Sequence, residues 1–178
     1  MNRAAFWQAA LLAAAMAFTW PAPLMAAEPG HQPVPALALR AVDGDTLDVL
    51  LADGAAERVR VYGINAPERA DPFFAEAKRF TASFVQGARL TITPMGRDKF
   101  GRLLAFVEVE DGARRRSLGL ELLRAGLAVV YSTRYRPISD DIYKAYQLAQ
   151  MEAMTSGLGV WAVISEGEME MAPRHGAG

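Results

Sequence analysis

Short β-like runs that end at Asp-Gly pairs constrain this chain's fold more than any other feature. Leu37-Ala38-Leu39-Arg40-Ala41-Val42 reaches Asp43-Gly44, Thr46 to Leu50 alternates and stops at Asp53-Gly54, and Leu103 to Val109 precedes Asp111-Gly112. Asp-Gly between alternating runs is a hairpin signal, so antiparallel strands are expected. Arg58-Val59-Arg60-Val61-Tyr62 alternates as well. Val59 and Val61 share one face, and Arg58, Arg60 and Tyr62 share the other. Arg60 is therefore expected to point away from the valine face, into either a cleft or bulk water. Arg89 to Thr93 adds a strand, and Leu127 to Tyr131 a short one.

Helical patterns interrupt these runs. From Asp71 to Gln86, Phe73, Ala77, Phe80 and Phe84 recur at helical spacing, with Pro72 suited to the first turn and Gly87 closing the segment. Ser117 is a candidate N-cap for a helix bearing Leu118, Leu122 and Ala125 and stopped by Gly126. Asp140 opens a last helix to Ser156, with Ile142, Tyr146, Ala149 and Ala153 on one side and Gly157 at its end. The order predicts an α+β fold, and a small closed sheet satisfies five or so short strands most economically.

At 178 residues there is room for one domain and tails. A near-neutral balance, net charge −1, argues against coating of nucleic acid through bulk electrostatics, so any such contact needs a local basic site. There are no cysteines, which excludes disulfides, thiol nucleophiles and zinc-cysteine sites. The two histidines, His31 and His175, lie in low-complexity tails, which argues against a histidine base or a Ser-His-Asp triad. A hydrolase built from this chain must use carboxylates, arginines and a hard, oxygen-seeking cation.

Those groups are present in three blocks: Asp43-Gly44-Asp45-Thr46, Arg60 to Glu68 (Arg-Val-Tyr-Gly-Ile-Asn-Ala-Pro-Glu) and Asp98-Lys99-Phe100-Gly101-Arg102. Each has a plain alternative. The first can be a polar turn, Glu68 can be a dipole-favoured residue at a helix N-terminus, and the arginines can be solvated. In this order, and closed by Gly157-Leu158-Gly159-Val160-Trp161, the blocks resemble the thermonuclease (staphylococcal nuclease-like) family over about Ala36 to Trp161.

The resemblance implies a five-stranded OB-fold barrel with three helices and calcium-dependent cleavage of DNA and RNA phosphodiesters, with attack opposite the 5′-oxygen leaving 3′-phosphate ends. It implies a calcium ligand at Asp45, the general base at Glu68, and phosphate-binding guanidiniums at Arg60 and Arg102. Asn65 stands where the family usually has a second aspartate, and Ala66 where a backbone carbonyl is the ligand. An amide oxygen can coordinate a cation but brings no charge, so weaker calcium binding or a different divalent preference is expected. Lys99, Arg97, Arg134 and Arg136 are candidate phosphate contacts, and Tyr131 and Tyr135 candidate base-stacking residues. The implied partner is nucleic acid, preferably single-stranded, with a monomeric protein and no stable protein partner. The alternatives are a nucleic-acid-binding module that no longer turns over, and an envelope interaction module. Arg114-Arg115-Arg116 reads as a solvated turn and Glu166 to Glu170 as a solvated tail.

The N-terminus reads as a targeting segment. Arg3 precedes an uncharged apolar run, Ala9 to Phe18, and Pro21 and Pro23 break any helix before small residues suited to cleavage near Ala26-Ala27. The alternative is an uncleaved membrane anchor, since Ala4 to Ala27 reaches the ~20 residues that span a bilayer. The expected divisions are residues 1–27 as signal peptide or anchor, 28–35 as linker, 36–163 as the barrel domain and 164–178 as a disordered tail, with a periplasmic or secreted location.

Overall fold

In the computed structural model the described residues are 31–112, 114–131 and 139–162. The N-terminal segment 1–27, Arg134, Tyr135, Arg136, His175, the Glu166 to Glu170 stretch and the tail 164–178 lie outside them. Among the described residues no helix is long and apolar enough to cross a membrane.

Five strands close into a barrel. β1 (Val34–Ala41) pairs antiparallel with β2 (Thr46–Leu51), and β2 with β3 (Ala56–Val61). On its other edge β1 pairs with β5 (Arg89–Arg97), and β5 with β6 (Leu103–Asp111). A parallel pairing of β3 with β6 shuts the sheet, with Val59 opposite Leu103, Arg60 opposite Leu104 and Val61 opposite Ala105. Alternation does the sorting expected of a half-buried sheet: Leu47, Val49, Val59, Val61, Leu90, Ile92, Ala105 and Val107 fill the interior. A two-stranded ribbon lies beside the barrel, β4 (Ile64–Asn65) against β8 (Val129–Val130). The α+β barrel with three helices is as expected from the sequence.

Two strands extend beyond their sequence limits for long-range reasons. β1 starts at Val34, inside the Pro-rich stretch, because Val34 and Pro35 pair with Ile92 and Thr91 of β5. β5 continues past Thr93 through Pro94 to Arg97; the register shifts between Pro94 and Gly96, and Gly96 has φ 134°. This bulge absorbs the missing proline N–H. The arginine run is not a turn. It forms β7 (Arg114–Ser117), hydrogen-bonded along the edge of β6 after the turn at Asp111-Gly112. Arg115 and Arg114 lie opposite Glu110 and Asp111, Arg115 approaches Glu108 at 3.8 Å, and the charged side chains protect an exposed edge from further pairing.

The first helix, α1 (Phe74–Val85), begins later than Asp71. Phe73, its N-cap, sits in the left-handed region at φ 66° because its ring packs on the core. The fully buried line is Ala77, Thr81 and Val85, while Phe80 and Phe84 stack on each other, half-buried, along its flank. Thr81 Oγ1 donates to the Gly44 carbonyl at 2.5 Å and so ties α1 to the loop between β1 and β2. A Cβ on Gly44 would meet both the Ala66 and the Ala77 Cβ atoms at 2.7 Å, so only glycine allows these three segments to meet.

Ser117 caps α2 (Leu118–Arg124) by accepting from the Leu120 N–H, as its position predicts. Helix α3 (Asp140–Thr155) buries Tyr146, Ala149 and Ala153. A 3-10 turn, Gly159–Ala162, follows it, and its Val160 N–H donates to the Gly126 carbonyl at 2.9 Å. Gly126 and Gly159 pack backbone to backbone: a Cβ on either would lie 2.1 Å from a carbonyl oxygen of the other segment.

Candidate active site

The barrel seam and the loops at its rim bring four of the expected site residues together. Asp45 lies at the end of the β1–β2 loop, 2% exposed, and Thr46 begins β2 directly opposite Arg60. One Arg60 nitrogen (Nη1) donates to Asp45 Oδ1. The other (Nη2) donates to Asn65 Oδ1 at 2.6 Å and to the Ile64 carbonyl at 3.5 Å. The second carboxylate oxygen of Asp45 accepts the Ala66 N–H at 2.6 Å, and Thr46 Oγ1 donates to Oδ1 at 3.2 Å. Asp45, Arg60, Asn65 and Ala66 therefore form one hydrogen-bonded group. Arg60 points into a cleft, its side chain 15% exposed.

Burial pushes the Asp45 carboxyl up to about 6, and the neighbouring Asp43 carboxylate adds to the rise; Arg60 and the Ala66 N–H pull in the opposite direction without prevailing. Asp43 is a participant that motif reading did not single out. Its Oδ1 accepts the Asp45 N–H at 3.1 Å and holds the loop shut.

Glu68 lies two residues beyond Ala66, with Pro67 between them. It is exposed, and its carboxylate forms no hydrogen bond or ion pair with another described residue. Its backbone is fixed by a small turn, with the Glu68 N–H donating to Asp71 Oδ2 at 2.8 Å and the Asp71 N–H to the Glu68 carbonyl at 2.8 Å. With α1 starting at Phe74, Glu68 is not a residue of that helix's first turn.

Arg102 precedes the first residue of β6. Because Val59 and Leu103 both face inward, Arg102, Leu104 and Arg60 emerge on the same outer face of the seam. Arg102 is held by Asp98, which accepts Nε at 2.6 Å and the Arg102 and Phe100 N–H groups at 3.0 and 2.9 Å. Burial works against ionisation of Asp98, but these hydrogen bonds hold its carboxyl below the usual range. Phe100 is 72% exposed, with the Lys99 ammonium and the Arg102 guanidinium each 5.4 Å from its ring centre. An aromatic in a polar loop with no apolar periodicity is the signal the sequence carries for this residue. Phe100 and Arg102 border an open groove of about 540 Å³ that runs past Leu39, Glu57 and Arg58. Arg97 is occupied by Glu57 at 2.6 Å. Tyr131 and Arg60 line a separate cavity of about 70 Å³ with Gly63 and Leu104. Tyr135 lies outside the described residues.

A hard cation fits this donor set in kind. An oxygen of Asp45 and the amide oxygen of Asn65 converge on one guanidinium, so both already face a common cation position, and Ala66 adjoins them. Asp45 is the carboxylate in contact there. Among the described residues no group of three or more His, Asp or Glu gathers as a denser metal site.

Residues 58–163 match the family described as Staphylococcal nuclease homologue. Similar curated proteins include the probable endonuclease lcl3 of Botryotinia fuckeliana (strain B05.10), 34% identical over 110 residues, which are 58% of this chain and 42% of the relative. The probable endonuclease LCL3 of Meyerozyma guilliermondii is 32% identical over 111 residues, 59% and 49% of the two chains. That of Pyricularia oryzae is 32% identical over 122 residues, 65% and 46%. The chain spans less than half the length of these relatives.

Proposed function

The chain belongs to the staphylococcal nuclease homologue family, and on that premise we propose that it is a nuclease hydrolysing phosphodiester bonds of DNA and RNA, preferably in single strands. The observation that carries this reading is the common outer face of the β3–β6 seam, from which Arg60 and Arg102 both emerge. Guanidiniums pair with phosphate oxygens two at a time and stay charged, so two of them on one face suit a phosphodiester.

In this reading Glu68, exposed and without a partner among the described residues, accepts a proton from a water attacking phosphorus. The new P–O bond forms as the bond to the 5′-oxygen breaks. That oxygen leaves with a proton from solvent, and the phosphate stays on the 3′ side. Arg60 and Arg102 offset the charge that grows on the equatorial oxygens, and Asp98 positions Arg102 for that role. Phe100 and Tyr131 offer faces for base stacking, and Lys99 a phosphate contact. Calcium would be held by Asp45, Asn65 and the Ala66 carbonyl, where it would add charge neutralisation at the phosphate. The protein acts as a monomer in the periplasm or outside the cell.

Incubating the chain with denatured DNA and calcium, then with a chelator, beside Glu68→Ser, tests this. Chelator-sensitive cleavage that drops ~100-fold or more in Glu68→Ser supports it. The neutral Asn65 favours a second reading, a groove that binds nucleic acid without turnover; retention of DNA with no cleavage by the wild type selects that.

A further inference from the structure

We propose that Arg60 is the resting cation of the Asp45–Asn65 cradle and that a divalent ion and this guanidinium exclude each other there, so that the arriving ion releases Arg60 to a substrate phosphate. This rests on the nuclease reading for the identity of the substrate, but the exchange itself is a property of the cradle. Three observations carry it. First, Arg60 already fills the position: it touches Asp45 Oδ1, and its other nitrogen is 2.6 Å from Asn65 Oδ1. A calcium ion sits 2.3–2.6 Å from its oxygen ligands, so it would occupy the volume the guanidinium now holds.

Second, the charge suffices for one occupant. Asp45 is the carboxylate in contact, and Asn65 contributes an acceptor with no charge. With Asp43 beside it, the cleft holds two carboxylates, which fall short of the three charges of an arginine and a divalent ion together, and two cations within ~4 Å in a buried cleft repel strongly. An asparagine at position 65 therefore suits a guanidinium better than a divalent ion. Third, there is somewhere for Arg60 to go. The cavity of about 70 Å³ between Gly63, Leu104 and Tyr131 opens beside it on the outer face of the seam, the side from which Arg102 also projects. Release would turn Arg60 from a counter-ion of Asp45 into a phosphate contact, so divalent ion and nucleic acid would each tighten the binding of the other.

The test is calcium calorimetry on the full-length wild type, Arg60→Gln and Arg60→Lys, with and without a phosphorothioate single-stranded oligonucleotide. Lysine keeps the charge but cannot fork onto both oxygens. The expected result is calcium binding at least ~10-fold tighter in Arg60→Gln, an intermediate gain in Arg60→Lys, and loss in both of the mutual tightening seen in the wild type. Should Arg60→Gln not fold, the lysine variant and the ¹⁵N signals of the wild-type Arg60 guanidinium decide: they must shift as calcium saturates. Calcium affinity that fails to rise in either variant, or saturation that leaves the Arg60 signals unmoved, overturns the exchange. Failure of the wild type to cleave DNA would instead remove the nuclease reading and leave the calcium result standing.

Discussion

Replacing Asp45 with asparagine removes a charge while keeping the shape that accepts the Ala66 N–H. In the folded chain burial raises this carboxyl from its ordinary 3.8 to about 6, over the pull of Arg60 and Ala66. The native state therefore holds the Asp45 proton more tightly than the unfolded chain does, and folding takes up a proton between those two values. Stability from this group is fully present below pH 3.8 and is lost as pH rises through 6. The gap of about two pH units corresponds to ~3 kcal/mol, of which ~2–3 kcal/mol falls between pH 4 and 7. Urea unfolding of wild type and Asp45→Asn, with chelator at each pH, reads the Asp45 contribution together with its coupling to Asp43, because carboxylates that do not interact with Asp45 cancel in the difference. Wild-type stability minus that of the variant should fall by ~2–3 kcal/mol from pH 4 to pH 7. A difference that stays flat, or that grows with pH, would mean that Arg60 fully compensates the buried charge, and the account of the cradle's electrostatics would be wrong.

Further outcomes follow from neighbouring contacts. Asn65→Asp supplies the second charge and should bind calcium about 10-fold tighter by calorimetry; unchanged affinity would argue against Asn65 as a cation ligand. Asp98→Ala strands the Phe100 and Arg102 N–H groups and should cost ~1–3 kcal/mol in thermal or urea melts, with cleavage falling as Arg102 loses its hold. Gly119→Ala drives a Cβ to 2.6 Å from the buried Tyr146 hydroxyl and should cost ~1–3 kcal/mol, measured by urea unfolding.

What the sequence discloses is what neighbours along the chain decide. Val59 and Val61 turn inward, Ser117 caps α2, and Tyr146, Ala149 and Ala153 line the buried side of α3, each from spacing alone. What it hides is set by partners far away. The arginine run becomes β7 because the edge of β6 is open to it, and Phe73 accepts a left-handed backbone because the core takes its ring. Gly44 reads as a turn glycine, yet its reason is the approach of Ala66 and Ala77, 22 and 33 positions on. Motif order pointed to Asp45, Arg60 and Asn65 separately. That Arg60 spans the other two follows only from barrel closure, which brings β3 beside the loop carrying Asp45.

The interlocked glycines near the end of the chain reach further than their own contact. Gly159 bears on Gly126, and Leu127 then leads into the short strand whose Val129 pairs with Asn65. The closing Gly-Leu-Gly-Val-Trp stretch is thus tied by its glycine to the segment that leads into the ribbon. It works as a keystone some thirty residues downstream of the ribbon it steadies. A side chain placed at either glycine would be felt as a displaced amide at the heart of the cleft.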